Sequence, residues 1–122
     1  MNLVKKKVED IVIFQQFIKS KRFLPSYEKL IDTVLSGVEF DPIKTEYFEY
    51  LKWRRFKNIR ELLPRHIELI KNVSAGGLTS PLVIGRTVDG EYHENRLYDG
   101  DHRLIIARKI GIEDVICKVR QK

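Results

Sequence analysis

A chain of 122 residues, 43% hydrophobic and 33% charged, suits one domain with its own core and falls outside the compositions of disordered or fibrous chains. Twenty-three Lys and Arg against seventeen Asp and Glu leave a net charge of +6, which attracts polyanions such as nucleic acid or nucleotides without choosing among them. No apolar run reaches the roughly 18–20 residues that cross a bilayer, and Met1 to Val4 lead straight into Lys5-Lys6-Lys7 without a signal-peptide core, so no membrane partner is expected.

The first apolar stretch, Val8 to Ile18, is ambiguous. Ile11, Val12, Ile13 and Phe14 are β-branched or aromatic, whereas Gln15-Gln16-Phe17-Ile18 suits a helix; the reading adopted is a buried strand near 11–17. Pro25-Ser26 then opens a helix with Leu30, Ile31, Val34 and Leu35 at helical spacing, stopped by Gly37. Asp41-Pro42 reads as a cap and first-turn proline, with Thr45 an equal candidate for the cap, of a helix running through Tyr47, Phe48 and Leu51 into a basic segment. Leu63-Pro64 predicts a third helix start, with Ile67, Ile70 and Val73 on one face and Gly76-Gly77 at its end.

The pattern then changes period. Pro81 to Gly85 is a short apolar strand, Asp89-Gly90 a strong hairpin turn, and residues 91–98 a returning strand carrying Tyr92 and Tyr98. Gly100 leads into a helix with Leu104, Ile105, Ala107 and Ile110 on its apolar face and Gly111 as its stop, and Asp114 to Val119 closes as a strand. The order β, three helices, then ββαβ predicts an α+β fold: a small mixed sheet with helices, and a helical N-terminal half. Cys117, the lone cysteine, excludes an internal disulfide and a multi-cysteine zinc site, fits a reducing, cytoplasmic compartment, and reads as a small buried hydrophobe.

The chemistry concentrates in Tyr98-Asp99-Gly100-Asp101-His102-Arg103. A strand ends there, turns at glycine and starts a helix whose first N–H groups have no intrahelical partner and whose dipole favours an anion. A cation in that first turn works against the dipole by about 0.3 kcal/mol or more. Arg103 makes sense there when a phosphate occupies the turn, since a guanidinium forks onto phosphate oxygens. The plain alternative has Asp101 capping the helix while His102 and Arg103 point to solvent.

The run Gly77-Leu-Thr-Ser-Pro81-Leu-Val-Ile, the hairpin, Leu97-Tyr-Asp-Gly-Asp-His-Arg103, then Ala107, Ile110-Gly111 and Val115 resembles the ParB/sulfiredoxin superfamily. The resemblance covers about the last fifty residues; Leu24-Pro25 through Leu51 is more loosely similar to the helical lead-in of ParB-like domains found beside sugar-biosynthesis genes. It implies one domain with a lead-in over 1–62 and a superfamily core over 63–122. Sulfiredoxins carry a nucleophilic cysteine where this chain has Asp101, so sulfinic-acid reduction is not expected. The partition proteins carry Gly-Glu-Arg-Arg there and bind the phosphates of CTP; Gly100 and Arg103 are kept, while Asp101 and His102 depart. Their helix-turn-helix DNA reader has no counterpart before the chain ends, so centromere binding is not expected. Free serine kinases of the superfamily carry Asp-Gly-x-x-Arg, matched by Asp99, Gly100 and Arg103.

By that resemblance the ligand is a nucleoside triphosphate or diphosphate. Gly100 admits the phosphates, Arg103 and His102 contact their oxygens, and Thr79 and Ser80 add hydroxyl donors. Asp99 and Asp101 are the candidates to hold Mg²⁺ beside the phosphates, or to orient or deprotonate a nucleophile in hydrolysis or phosphoryl transfer.

Lys52, Arg54, Arg55, Lys57 and Arg60 place five cations in nine residues around Trp53 and Phe56. That mixture suits a nonspecific nucleic-acid contact, and the alternative function is a nucleic-acid-binding or nuclease-like module using this 52–60 segment. The plainer reading, preferred here, is a helix with its aromatics in the core and its cations in solvent. His66 and His93 lack partners at metal-ligand spacing and read as exposed or structural.

Overall fold

In the computed structural model, which describes residues 2–13 and 21–121, the lysine-rich N-terminus is a strand, β1 (Asn2–Lys7). Val4 and Lys6 are half-buried while Leu3, Lys5 and Lys7 are exposed, so the strand alternates although only Val4 brings an apolar side chain inward. It pairs antiparallel with β4 (Asp114–Val119), Asn2 opposite Val119 and Lys7 opposite Asp114. Lysines along this edge discourage pairing with a further chain.

A 3-10 turn (Val8–Asp10) follows, and over the described residues 11–13 of the strand expected near 11–17 there is a single bridge, Val12 to Arg96. Val12 donates to the Asn95 carbonyl and accepts from Leu97 N–H, both at 2.9 Å, while Ile11 and Ile13 point into the core. The Ile11 carbonyl, on the side of the chain away from β3, accepts from the Arg108 guanidinium. Residues 14–17 of that expectation lie outside the described residues.

Helix α1 (Phe23–Leu35) begins two residues before Pro25, which sits in the first turn where a missing N–H costs nothing. Its buried face is Phe23, Tyr27, Leu30, Ile31 and Val34. Both candidate caps are used. The Asp41 carboxylate accepts from Ile43 N–H at 3.2 Å to start a 3-10 turn (Pro42–Lys44), and the Thr45 hydroxyl accepts from Phe48 N–H at 3.2 Å to cap α2 (Glu46–Trp53).

Helix α3 (Ile59–Gly76) starts a turn earlier than Pro64 suggests, because Asn58 takes a left-handed conformation (φ 58°) and its carbonyl receives Glu61 and Leu62 N–H. Pro64 lies inside the helix on its exposed side, while Leu63, Ile70 and Val73 are buried.

Strands β2 (Leu82–Val88) and β3 (Glu91–Asp99) form a hairpin whose turn residues, Asp89 and Gly90, both have positive φ, as a type I′ turn requires. Helix α4 (Asp101–Ile110) returns the chain to β4, which lies between β1 and β2 and is parallel to β2. The sheet order is β1-β4-β2-β3. Among the described residues the fold is therefore mixed α+β, with four α-helices and one four-stranded mixed sheet. Because β1 joins that sheet, its strands come from both sides of residue 62. Leu82, Ile84, Leu97 and Cys117 from the sheet and Leu104 to Ala107 from α4 share one core with α1, α2 and α3. Among the described residues no helix is long and apolar enough to cross a membrane.

Candidate functional site

The end of β3 and the start of α4 meet at Gly100, which adopts φ 110°, ψ 29° as the residue before the helix. A Cβ there would come within 2.7 Å of Leu82 Cδ2 and 3.1 Å of Arg103 Nη2, so the corner closes only on glycine. The Gly100 carbonyl accepts the first helical bond, from Leu104 N–H at 2.9 Å. No side chain caps the helix: Asp101 is its first residue, not its cap, so the capping alternative does not hold.

Arg103 reaches back across the corner, its Nη1 donating to the Ser80 carbonyl at 2.9 Å. Two segments far apart in sequence, the Thr79–Pro81 loop and the 100–103 turn, are thereby joined. The exposed Thr79 and Ser80 also line a groove of about 470 Å³ with Lys5, Ile112, Asp114 and Ile116, whose lining does not include Gly100–Arg103. The link between loop and turn runs through the Ser80 backbone carbonyl rather than through the Thr79 or Ser80 hydroxyls.

The carboxylates differ in setting. Asp99 is exposed at the end of β3; Asp101 is half-buried, and burial pushes its carboxyl above the ordinary range, with the Arg86 guanidinium pulling it down and Asp99 pushing it up. Among the described residues no group of three His, Cys, Asp or Glu side chains gathers to hold a metal. Asp99 and Asp101 alone are fewer ligands than Mg²⁺ takes, and the rest of its shell would have to come from phosphate oxygens and water.

His102 turns inward. Its ring lies 4.5 Å from His66, 5.1 Å from Tyr27 and 5.6 Å from Phe23, centroid to centroid, in a cluster completed by Tyr47 and Tyr50. Burial, reinforced by His66, lowers its pKa to about 4, so at neutral pH the imidazole is uncharged. His66, also lowered by burial, shares a 3.0 Å hydrogen bond with the Tyr27 hydroxyl, and burial raises the Tyr27 and Tyr47 phenols far above their usual range. His66 is the cluster member that motif spacing misses. Its helical spacing does mark it, because it falls between Leu63 and Ile70 on the inward face of α3. His93 stays near the surface, 3.8 Å from Glu91.

Cys117 is fully buried in β4, between Val4 of β1 and Leu82 of β2, and burial pushes its thiol up. The basic segment is not one helix. Lys52 lies in the last turn of α2, Arg54 follows the helix, Arg55 has φ 58°, and Arg60 lies in the first turn of α3. Trp53 and Phe56 remain 56% and 44% exposed, which overturns the expectation that they enter the core. The turn at Arg55 and Asn58 swings this segment off the core before the apolar face of α3 begins.

No protein-family model, no curated protein and no solved structure matches this chain.

Proposed function

We propose that the chain is a ParB/sulfiredoxin-like domain that binds the phosphates of a nucleoside triphosphate or diphosphate at the Gly100–Arg103 turn. The observation that carries this reading is the Arg103 guanidinium, held against Gly100 and bonded to the Ser80 carbonyl at 2.9 Å. One Nη of the guanidinium is engaged by the protein, and its other donors, with the first-turn amides of α4, form a set suited to phosphate oxygens. In this reading His102 serves as a neutral anchor that seats the turn in the aromatic cluster, with at most one N–H to offer a ligand. Asp99 and Asp101 hold Mg²⁺ together with the phosphates. A carboxylate not engaged by the metal would instead orient or deprotonate an attacking hydroxyl or water, the route to hydrolysis or phosphoryl transfer.

A thermal-shift panel of nucleoside mono-, di- and triphosphates, with Mg²⁺ and with a chelator, tests this. Di- or triphosphates should stabilise the protein, by about 2.7 kcal/mol at one hundred times their dissociation constant. Chelation should reduce the effect. A flat panel contradicts the proposal, and stabilisation indifferent to chelation removes the metal.

A further inference from the structure

We propose that the corner formed by Trp53, Arg54, Arg55, Phe56 and Arg60, with Arg22 from the start of α1, is a contact surface for single-stranded nucleic acid. Two observations meet there. The first is exposed aromatic surface beside cations: Arg22 lies 4.5 Å from the centroid of the Trp53 ring and Arg54 6.0 Å from that of Phe56, yet the two rings keep 56% and 44% of their area open. The second is unbalanced charge. Lys5, Lys6, Lys29, Lys52 and Lys109 each have a carboxylate within 4.0 Å, whereas among the described residues Arg22, Arg54, Arg55, Lys57 and Arg60 have none.

A surface of unneutralised guanidinium groups with open rings between them complements a polymer that alternates phosphate and unpaired base. The cations take the backbone, and the rings and guanidinium planes offer stacking faces to the bases. A duplex keeps its bases stacked on one another and offers the rings little, so the single strand is the matched form. The corner is also held in place. Arg54, Arg55 and Phe56 N–H donate to the carbonyls of Tyr50, Lys52 and Leu51 at 2.9, 2.9 and 3.1 Å, and Trp53 rests against Tyr50 of the aromatic cluster at 6.3 Å. The proposal is independent of the nucleotide reading, which uses the Gly100–Arg103 turn.

Trp53 is the sole tryptophan, so its emission reports on this corner directly. The full chain is titrated with a 20-residue oligothymidylate at low salt. Emission should be quenched, and the logarithm of affinity should fall with the logarithm of salt with a slope of roughly −3.5 if five phosphates are neutralised. Arg54→Glu with Arg55→Glu should lower affinity at least tenfold and flatten the slope by about 1.4. Trp53→Ala, followed by fluorescence anisotropy of a labelled oligonucleotide, should weaken binding about tenfold through lost stacking. Melting curves of all variants establish that they fold. The proposal is overturned by absence of quenching at low salt, by equal binding of a blunt duplex, or by inorganic polyphosphate binding and quenching as strongly as the oligonucleotide. Quenching by anionic phospholipid vesicles but not by the oligonucleotide likewise overturns it, in favour of a membrane surface.

Discussion

The inward seat of His102 makes the stability of the protein depend on pH in a calculable way. A folded-state pKa of about 4 against an ordinary 6.5 means that below pH 6.5 the unfolded chain binds a proton that the folded chain refuses. Stability is therefore intact at pH 7, falls as pH drops through 6.5, and levels off only near pH 4. Between pH 7 and pH 5 the loss assignable to His102 is about 2 kcal/mol. His66, lowered by burial, acts in the same direction, whereas Asp101, raised by burial, acts in the opposite one, because the folded protein takes up its proton first. The informative quantity is thus the difference between the wild type and His102→Gln, measured by urea unfolding at both pH values. The wild type should lose about 2 kcal/mol more than the variant on going from pH 7 to pH 5, a shift of about 1 M in urea midpoint. Parallel losses in the two proteins would refute the burial of an uncharged imidazole at this position.

Gly100→Ala places a Cβ 2.7 Å from Leu82 Cδ2 at φ 110°, so it should destabilise the fold by about 2–3 kcal/mol; a melting temperature within 2 °C of wild type, against the roughly 6–15 °C expected, would show that the corner relaxes freely. Thr45→Ala removes the hydroxyl that accepts from Phe48 N–H, and should cost about 1 kcal/mol in urea unfolding, with Thr45→Ser restoring most of it.

Elements whose apolar residues keep a clear period are legible in the sequence: the hairpin around Asp89-Gly90, helix α4 with Gly111, and β4 fall where composition places them. β1 is not legible, because an edge strand built from Asn2, Leu3, Val4 and three lysines lacks an apolar alternation, and only its pairing with β4 holds it. Pro64 misleads for a related reason. Proline favours a first turn, but on an exposed helix face α3 tolerates it further in, and the true start depends on a left-handed Asn58 that no local signal announces. At the candidate site, the strand–glycine–helix turn is visible in residues 98–103. The Arg103 bond to Ser80 and the insertion of His102 beside His66 are tertiary events, joining residues 23 and 36 positions apart. Trp53 and Phe56 show the limit from the other side: large aromatics are buried by default, and here the backbone turn at Arg55 keeps them out.

The central claim, that the Gly100–Arg103 turn binds phosphate, is tested most directly by titrating the wild type and Arg103→Ala with the nucleotide that stabilises the protein best. Loss of a charge-assisted hydrogen bond should weaken binding by about 1.5–3 kcal/mol, roughly 10- to 150-fold, with Arg103→Lys in between. Superimposable isotherms for wild type and Arg103→Ala, in proteins that melt alike, would contradict it.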